Sequence, residues 1–394
     1  MKTEWKEKKV SLGGAIVIGA ILAVIGGAVG VNWNSIVGRV MPGSSALSAD
    51  GVDLSSVVEV YNKLASTYNG EIDAKEMVEG AKVGMAAALG DRYTEYMSAT
   101  DSEAFYDNLH GNVGAGIGVE MGQRNGYLTV LRTLPDNPAR EAGILAGDIL
   151  YKADGEEIWN MSSDQASALL RGEEGTEVKL SVVRDGEEKE YTLKRAVLNN
   201  VSEYVNFDGS TAIVTVTRFD DDTGRKVQEE AAKFAEKGVK KVILDLRGNG
   251  GGYVNAGVDL LSLWIDGQNV VTQKSRTLGD TNSVTSSGKA ILKDMKTVVL
   301  VNGGTASASE IVAGALKDYG KATIVGEQTY GKGVVQNLFT MSDGATLKVT
   351  TAEWYTPNGD SINGAGIVPD VVVERTYEQI NKMQDPQLDK AKEL

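Results

Sequence analysis

A serine at a predicted strand-to-helix corner is the first residue that suggests chemistry. Ser307 lies in Thr-Ala-Ser-Ala-Ser-Glu, after an aliphatic run at 298–301 and the pair Gly303 and Gly304. The aliphatic run predicts a buried strand that the glycines end, and Ser307 followed by Glu310 predicts a helix start. Such a corner holds a hydroxyl rigidly beside helix N–H groups that stabilise an oxyanion. The alternative is that the serine only caps the helix.

Lys332, 25 positions after Ser307, is the candidate general base. It lies between Gly331 and Gly333, which leave its stem uncrowded, and Gln336 follows four positions later on the same face of a helix or strand. A lysine accepts a proton only as the neutral amine, so its pKa must fall from about 10.4 toward neutrality. Desolvation by apolar neighbours has this effect. The alternative is an exposed lysine in a glycine turn.

A glycine run ends another predicted buried strand, at 239–246. The segment Asp-Leu-Arg-Gly-Asn-Gly-Gly-Gly closes with Gly250, Gly251 and Gly252, which permit close backbone approach to a substrate with N–H groups free to donate. A phosphate-binding loop or a plain turn is the alternative, but the G-x-x-x-x-G-K-[ST] pattern is absent here. Around it, we predict strands at 211–217, 297–301 and 322–325, and helices at 224–237 and 256–264. The alternation predicts α/β layers whose loops line the site.

Composition narrows the chemistry further. Of 394 residues, 42% are apolar and 24% are charged, which is typical of a globular protein. The absence of cysteine excludes disulfides, thiol nucleophiles and thiolate metal sites, and the single histidine, His110, excludes a multi-histidine site. We place His110 in a polar linker. The net charge of -14 argues against nucleic acid as a partner. A hydrolytic site in this chain would therefore use Lys, Asp or Glu as its base.

The N-terminus predicts a membrane anchor. Residues 1–9 carry four lysines and two glutamates, and residues 10–31 form a stretch of 22 residues without a charge. That length spans a bilayer, and the basic flank places residues 1–9 in the cytoplasm. A cleavable signal peptide is the alternative, but its apolar region would be shorter. We expect a single-pass cell-membrane protein, with residues 32–50 as a tether and the remainder outside the cytoplasm.

The next two regions differ in character. Residues 51–110 have apolar residues at three- and four-residue spacings and predict a helical region. The segment Asp91 to Met97 within it is interpreted as a packing or dimerisation element without chemistry. Residues 111–196 combine a glycine-rich loop with strands, including one at 177–184, and a helix at 163–170. Outward-facing N–H groups on such a loop suit the capture of a peptide carboxylate.

Residues 111–196 resemble a PDZ domain. The glycine loop near 114–118 and the run Ala-Gly-Ile-Leu-Ala-Gly-Asp at 142–148 look like that family's loop and its A-G-[IL]-x-x-G-D stretch. The resemblance implies that a peptide is bound by five residues: Gly116, Ile117, Gly118, Val119 and Arg171. For Arg171, the alternative is a solvated arginine near a helix end.

The joint order of these motifs, over residues 52–375, resembles the carboxyl-terminal processing (tail-specific) peptidases. The closing segments Trp-Tyr-Thr-Pro-Asn-Gly at 354–359 and Gly-Ala-Gly-Ile-Val-Pro-Asp at 364–370 also match. The resemblance implies an α/β multidomain fold: the PDZ-like domain precedes a crotonase/ClpP-like serine-protease core at 197–376, and a C-terminal tail follows at 377–394.

Site roles follow from the same resemblance. Ser307 would be the nucleophile, Lys332 the general base and Gln336 its positioning partner. The oxyanion hole would combine the N–H of Ala308 with that of one glycine among 250–252. Spacing alone leaves Ser309 as a rival nucleophile, and the family pattern selects Ser307.

The resemblance implies a membrane-anchored serine endopeptidase that needs no metal or organic cofactor. Its PDZ-like domain would capture exposed C-termini or extended segments of protein substrates and gate the active site. Homodimers would form through residues 51–110 and the tail. The alternative is a catalytically inactive, membrane-tethered PDZ scaffold or chaperone. A third possibility, an acyl-group enzyme with thioester chemistry, explains neither the PDZ-like segment nor the lysine.

Overall fold

The described part of the chain begins after the predicted anchor. The computed structural model describes residues 48–49, 52–112, 114–124, 126–134, 136–161, 163–198, 200–275, 279, 281–382 and 384–394. The anchor at 10–31 lies outside these residues, and within them no helix is long and apolar enough to cross a bilayer. The chain divides into two compact units, residues 1–81 and 82–394.

Helices lie where the apolar spacing of residues 51–110 predicts them. The first elements are β1 (Ser48–Ala49), β2 (Val52–Asp53), α1 (Ser55–Thr67) and α2 (Ala74–Ala87). The valines and leucine of α1, including Val57, Val60 and Leu64, are exposed, and α1 has no buried residue. Its apolar stripe therefore faces away from any core of its own unit.

A strand and a helix lead into the next domain: β3 (Glu95–Met97) and α3 (Ala99–His110). Ser98 caps α3 through its side chain, and Gly111 ends it with φ of 76°. Our placement of His110 in a polar linker is therefore wrong, because His110 is the last residue of a capped helix. The helix has a weak apolar stripe, so its capping residues are the stronger sequence signal.

The region that resembles a PDZ domain follows, built on an antiparallel sheet in the order β10-β9-β7-β6-β5. Its elements are β4 (Ala115–Gly116), β5 (Val119–Arg124), β6 (Tyr127–Thr133), α4 (Pro138–Glu141), β7 (Ile149–Ala153), β8 (Glu156–Glu157), α5 (Ser163–Leu170), β9 (Glu177–Arg184), β10 (Glu187–Lys194) and β11 (Ala196–Val197). Strand β8 pairs with β7, and β4 pairs with β11. Strand β5 ends the sheet, and α5 packs beside it, which leaves a groove along an edge strand.

The remaining elements, from residue 203 onward, form an α/β layer, as the alternating pattern predicts. Its elements are β12 (Glu203–Asp208), β13 (Thr211–Val216), α6 (Thr223–Ala231), β14 (Lys241–Asp245), α7 (Val254–Leu261), β15 (Asn269–Lys274), β16 (Thr281–Thr285), β17 (Lys296–Val301), α8 (Ala308–Asp318), β18 (Thr323–Gly326), β19 (Val334–Thr340), β20 (Thr346–Tyr355), β21 (Val371–Val372), α9 (Tyr377–Asn381) and α10 (Pro386–Glu393). The main sheet has the order β12-β13-β14-β17-β18-β21, and every pair except β12–β13 is parallel. The loops after β14 and β17 therefore leave the same edge of the sheet side by side.

Both faces of the main sheet are covered. Val299 and Leu244 pack on the side of α6, α7 and α8, and Val298 and Leu300 pack on the other side against Leu388 of α10. Full burial of each such side chain contributes roughly 1.5–3 kcal/mol. The strands that deliver the site loops are thus held from two directions, as expected for a parallel sheet.

Helix α6 is shorter than predicted, because it ends at Ala231 and not at residue 237. The N–H groups of Lys233 and Phe234 bond three residues back, which tightens the chain into turns. These turns direct Phe234 into the core, where it is buried.

A second, antiparallel sheet of order β16-β15-β20-β19 flanks the core. Strand β3 joins it by pairing with β20, and Glu95 lies opposite Lys348 in that ladder. The segment around residues 91–97 is thereby fixed against the core.

Candidate active site

The corner between β17 and α8 holds Ser307 in a strained conformation. Its φ is 56° and its ψ is -121°, values that L residues rarely adopt. The N–H of Ser307 donates to Glu310 Oε2 at 2.9 Å, and the N–H of Ala306 donates to the Asn249 carbonyl at 3.0 Å. Strain persists only where surrounding bonds impose it, as they do here. Ala308 begins α8, so its N–H lacks an intrahelical partner.

Burial separates the two candidate serines. Ser307 lines a cavity of about 430 Å³. Ser309 is completely buried, and its Oγ donates to the Asn249 carbonyl at 3.0 Å. The hydroxyl of Ser309 is therefore used inside the fold, whereas Ser307 borders open space.

The glycine run after β14 lies against Ser307 in the same cavity. A Cβ atom added to Gly251, whose φ is 105°, would lie 2.7 Å from Ser307 Cβ. The N–H of Gly251 donates to Asn249 Oδ1 at 2.8 Å, so it is not free for an oxyanion. The N–H groups of Gly250 and Gly252 make no hydrogen bond to another described residue. Two donors therefore remain available from this loop.

Lys332 lines the cavity from the loop between β18 and β19. Its N–H donates to Glu310 Oε2 at 2.9 Å, and its carbonyl accepts from Trp354 Nε1 at 2.9 Å. Its Nζ lies 5.3 Å from the centre of the Tyr93 ring. The backbone is thus fixed on both sides while the amine projects among side chains of the cavity wall.

The surroundings of Lys332 favour the neutral amine. Burial lowers the pKa of Lys332, and the positive charge of Lys348 lowers it further. The carboxylates of Glu95 and Glu310 act in the opposite direction but are outweighed. A lowered pKa increases the fraction of amine that can accept a proton near neutral pH.

Glu310 joins the serine corner to the lysine loop. Its completely buried carboxylate accepts from Thr329 Oγ1 at 2.5 Å and the Gly331 N–H at 2.7 Å through Oε1. Its Oε2 accepts the N–H groups of Ser307 and Lys332. From the sequence, Glu310 was identified only as the partner in a capping box. Its hydrogen bonds to the lysine loop were missed because those donors lie about 20 positions further along the chain.

Gln336 lines the same cavity from β19. Its Nε2 donates to Thr350 Oγ1 at 3.4 Å, and no hydrogen bond joins it to Lys332 among the described residues. The structure therefore brings Gln336 to the site without bonding it to the amine.

The single histidine lies outside this cavity. His110 Nε2 is 3.3 Å from the Tyr253 hydroxyl and 3.6 Å from Asp221 Oδ2. It is not positioned to serve Ser307. Across the described segments of the chain, no group of three or more His, Asp or Glu side chains is placed to hold a metal.

A second cavity, of about 310 Å³, follows the groove of the PDZ domain. Its lining includes all five predicted peptide-binding residues: Gly116, Ile117, Gly118, Val119 and Arg171. The guanidinium of Arg171 makes no hydrogen bond or ion pair with another described residue. Three residues, Asn108, Arg218 and Gly250, line both this cavity and the cavity of Ser307. The peptide groove and the serine site therefore share a wall.

Comparison with known families agrees with this architecture. Residues 210–373 match peptidase family S41, residues 115–194 match the PDZ domain, and residues 33–101 match the N-terminal domain of the activating protease CtpB. A CtpA-like serine protease of Staphylococcus aureus is 37% identical over 336 residues, which cover 84% of this chain and 67% of the relative. A CtpA-like serine protease of Staphylococcus epidermidis is 34% identical over 336 residues, 84% of this chain and 68% of the relative.

Solved structures show the same fold. The photosystem II D1 C-terminal processing protease is similar with a TM-score of 0.57 and 29% identity, over 82% of this chain and 88% of that one. An S41 protease structure from Bacteroides fragilis has a TM-score of 0.57 at 16% identity, over 83% of this chain and 91% of that one, and supports the fold alone. This chain therefore belongs to peptidase family S41 and is a serine peptidase with a PDZ domain.

Proposed function

We propose that this chain is a membrane-anchored endopeptidase that cleaves peptide bonds with a dyad of Ser307 and Lys332. The observation that carries the proposal is the single cavity that both side chains line, in which burial lowers the pKa of the lysine. Its substrates are proteins with accessible C-termini, a class to which the similar D1 C-terminal processing protease points by its name.

Acylation begins when Ser307 Oγ bonds to the substrate carbonyl carbon and Lys332 Nζ takes the hydroxyl proton. The C–N bond then breaks, and the lysine ammonium returns the proton to the leaving amine. Water attacks the resulting ester, again passing a proton to Lys332. The ester C–O bond breaks, and that proton restores the Ser307 hydroxyl.

The developing oxyanion accepts the N–H of Ala308 and that of Gly250 or Gly252. Their availability supports this assignment, since Gly251 donates to Asn249 instead. One such donor typically contributes about 100- to 1,000-fold in rate. Gln336 holds the Lys332 amine in the substrate complex, which its place in the cavity wall supports.

Substrate enters through the PDZ groove. An extended C-terminal segment adds to the edge strand β5, where the loop at Gly116 and Gly118 receives the terminal carboxylate. Arg171, whose guanidinium has no partner among the described residues, supplies a charge for that carboxylate. The wall shared by the two cavities supports a gating role, because a bound segment contacts residues that also border Ser307.

The N-terminal 31 residues anchor the peptidase with its catalytic part outside the cytoplasm. The uncharged stretch at 10–31 and its basic flank support this placement. A C-terminal fusion to a phosphatase that is active only outside the cytoplasm tests it. An active phosphatase supports the orientation, and an inactive but well-expressed fusion contradicts it.

The protein forms a homodimer through α1, whose exposed apolar stripe supports this assembly. Placing lysines on that stripe, as in Val60→Lys with Leu64→Lys, should convert dimer to monomer in light scattering coupled to size exclusion. A wild-type chain that is monomeric at micromolar concentration would exclude the dimer.

The dyad is tested by incubating the full chain, purified in detergent, with an unstructured protein and identifying fragments by mass spectrometry. Ser307→Ala and Lys332→Ala should each lose cleavage by roughly 10⁴-fold or more while keeping C-terminal peptide binding. The matched controls Ser287→Ala and Lys289→Ala alter exposed residues and should match wild type.

Two outcomes oppose the proposal. Identical fragments from wild type and Ser307→Ala would exclude Ser307 as nucleophile. Peptide binding without cleavage in every variant, wild type included, would support the scaffold function instead.

A further inference from the structure

The segment Asp91 to Met97, interpreted from sequence as a packing element, contacts the lysine side of the active site. We propose, on the basis of the proposed role of Lys332, that this segment positions the general base. Tyr93 covers the Lys332 amine, and Glu95 holds a second lysine, Lys348, in the same cavity. Tyr93 and Glu95 are therefore positioning residues for peptide cleavage.

The segment is anchored before it reaches the site. Asp91 Oδ2 accepts from Thr94 Oγ1 at 2.6 Å, and Asp91 Oδ1 accepts the N–H of Tyr93 at 3.1 Å. Thr94 Oγ1 in turn accepts the N–H of Thr350 on β20 at 3.0 Å. Thr350 Oγ1 accepts a hydrogen bond from Gln336. Thr350 therefore connects the turn to Gln336, a residue that lines the cavity.

Tyr93 is held in place over the amine. Its ring centre lies 5.3 Å from Lys332 Nζ. The guanidinium of Arg92 lies 4.7 Å from the same ring centre and donates to the Tyr93 hydroxyl at 2.5 Å. An aromatic ring in this position excludes water from one side of the amine and attracts its protonated form through the π face, so it holds the amine in place.

Glu95 pairs with a second positive charge of the cavity. It forms an ion pair with Lys348, which it faces in the β3–β20 ladder. Lys348 lines the cavity of Ser307 and also lies 5.6 Å from the ring centre of Phe105. A fixed positive charge beside Lys332 disfavours protonation of the base, and the carboxylate of Glu95 offsets part of that effect.

The groups that face Lys332 come from several elements. They are Arg92, Tyr93 and Glu95 of the segment, Lys348 of β20 and Glu310 of α8, and the cavity wall also includes Arg218 and Tyr253. Burial and Lys348 lower the pKa of Lys332, whereas Glu95 and Glu310 raise it. Removing the charge of Glu95 and removing the charge of Lys348 should therefore shift the pKa of Lys332 in opposite directions. A loss of packing would not produce opposite shifts.

The test measures the pKa of Lys332 directly, by competitive acetylation of the full chain with acetic anhydride at a series of pH values and mass spectrometry of the lysine-332 peptide. Lys348→Gln should raise this pKa by roughly one unit, and Glu95→Gln should lower it, as expected for a single neighbouring charge. The exposed pair Glu378 and Lys382 supplies matched controls, Glu378→Gln and Lys382→Gln, which should cause no shift.

Activity provides the second measurement. The acid limb of kcat/KM, measured on labelled unstructured protein, should move to higher pH in Lys348→Gln and to lower pH in Glu95→Gln. These shifts should match the pKa values of Lys332 obtained by acetylation. Tyr93→Ala should lower kcat more than it raises KM, and Tyr93→Phe, which keeps the ring, should recover most of the loss.

The outcomes separate this inference from the proposed dyad. Shifts of the same sign, or none, in the two charge variants would overturn it, as would a Tyr93→Phe variant as impaired as Tyr93→Ala. If Lys332→Ala still cleaves, the dyad itself fails. If wild type cleaves and Lys332→Ala does not, the dyad stands whatever the charge variants do.

Discussion

Gly251 and Ser307 approach each other so closely that a Cβ on the glycine would lie 2.7 Å from the serine Cβ. The same added atom would lie 2.9 Å from the Ala306 carbonyl oxygen, and the φ of Gly251 is 105°. The glycine run therefore lies in direct contact with the corner that holds Ser307.

Gly251→Ala should displace Ser307 and reduce cleavage by about 100-fold or more, the size expected when reacting groups lose alignment. The rate of reaction with a fluorophosphonate measures the reactivity of Ser307, and the release of peptide fragments measures cleavage. Gly84→Ala is the control, because that glycine lies in α2 with open space around it and normal φ. A Gly251→Ala variant with wild-type rates would contradict the close approach.

Glu310→Gln should disconnect the serine corner from the lysine loop. The carboxylate accepts four hydrogen bonds, whereas an amide presents N–H groups toward some of those donors. We expect a loss of about 3 kcal/mol in the free energy of unfolding and a lower kcat. Urea denaturation and steady-state kinetics measure the two effects. Unchanged values of both would show that the corner and loop are held by other contacts.

The proposed role of Lys332 as general base makes cleavage depend on pH. Because burial and Lys348 lower the pKa of Lys332, the active neutral amine should predominate at a pH below the ordinary lysine value of about 10.4. Activity should rise with pH through that lowered pKa and then level. An acid limb centred at or above the ordinary lysine value would contradict this assignment.

Lys332→Met should be inactive yet more stable than wild type at neutral pH. Below the lowered folded-state pKa, Lys332 is charged in both states, and only the folded state bears the desolvation cost. That cost is relieved as pH rises through the folded pKa, so the stability gain of the variant should shrink toward high pH. Thermal unfolding at a series of pH values from neutral up to the ordinary lysine pKa of about 10.4 checks the sign.

Asp385→Asn should loosen α10 from the core sheet. Burial alone would raise the pKa of Asp385, but the hydrogen bond at 2.8 Å and the charge of Arg247 outweigh it and lower that pKa. Its stabilisation is therefore present above the unfolded value of about 3.9 and lost as pH falls through the lower folded value. Protection factors for amide hydrogen exchange in α10, which correct for the pH dependence of intrinsic exchange, should fall in wild type on acidification and already be low in Asp385→Asn at neutral pH. Slow exchange in the variant would refute this.

The nucleophile corner could be predicted because its signals are local. An aliphatic run, a glycine turn and a capping pattern fall within about 20 residues, and the structure ends β17 at Val301 and begins α8 at Ala308. Spacing could not choose between Ser307 and Ser309, because only burial in the folded chain separates them.

The lysine side of the site was harder to predict for the opposite reason. Tyr93 and Lys348 reach Lys332 through the pairing of β3 with β20, strands about 250 positions apart. Periodicity within a window carries no information on such long-range pairing. Which glycine N–H is available for an oxyanion could also be decided only from the fold, because the N–H of Gly251 donates to the Asn249 side chain.

The positive φ of Ser307 limits which amino acids can act at this corner. A β-branched side chain crowds its own backbone there, so threonine is disfavoured although it carries the same hydroxyl. An unbranched thiol would meet no such crowding. Backbone shape thus favours an unbranched side chain at this position, a requirement that serine meets.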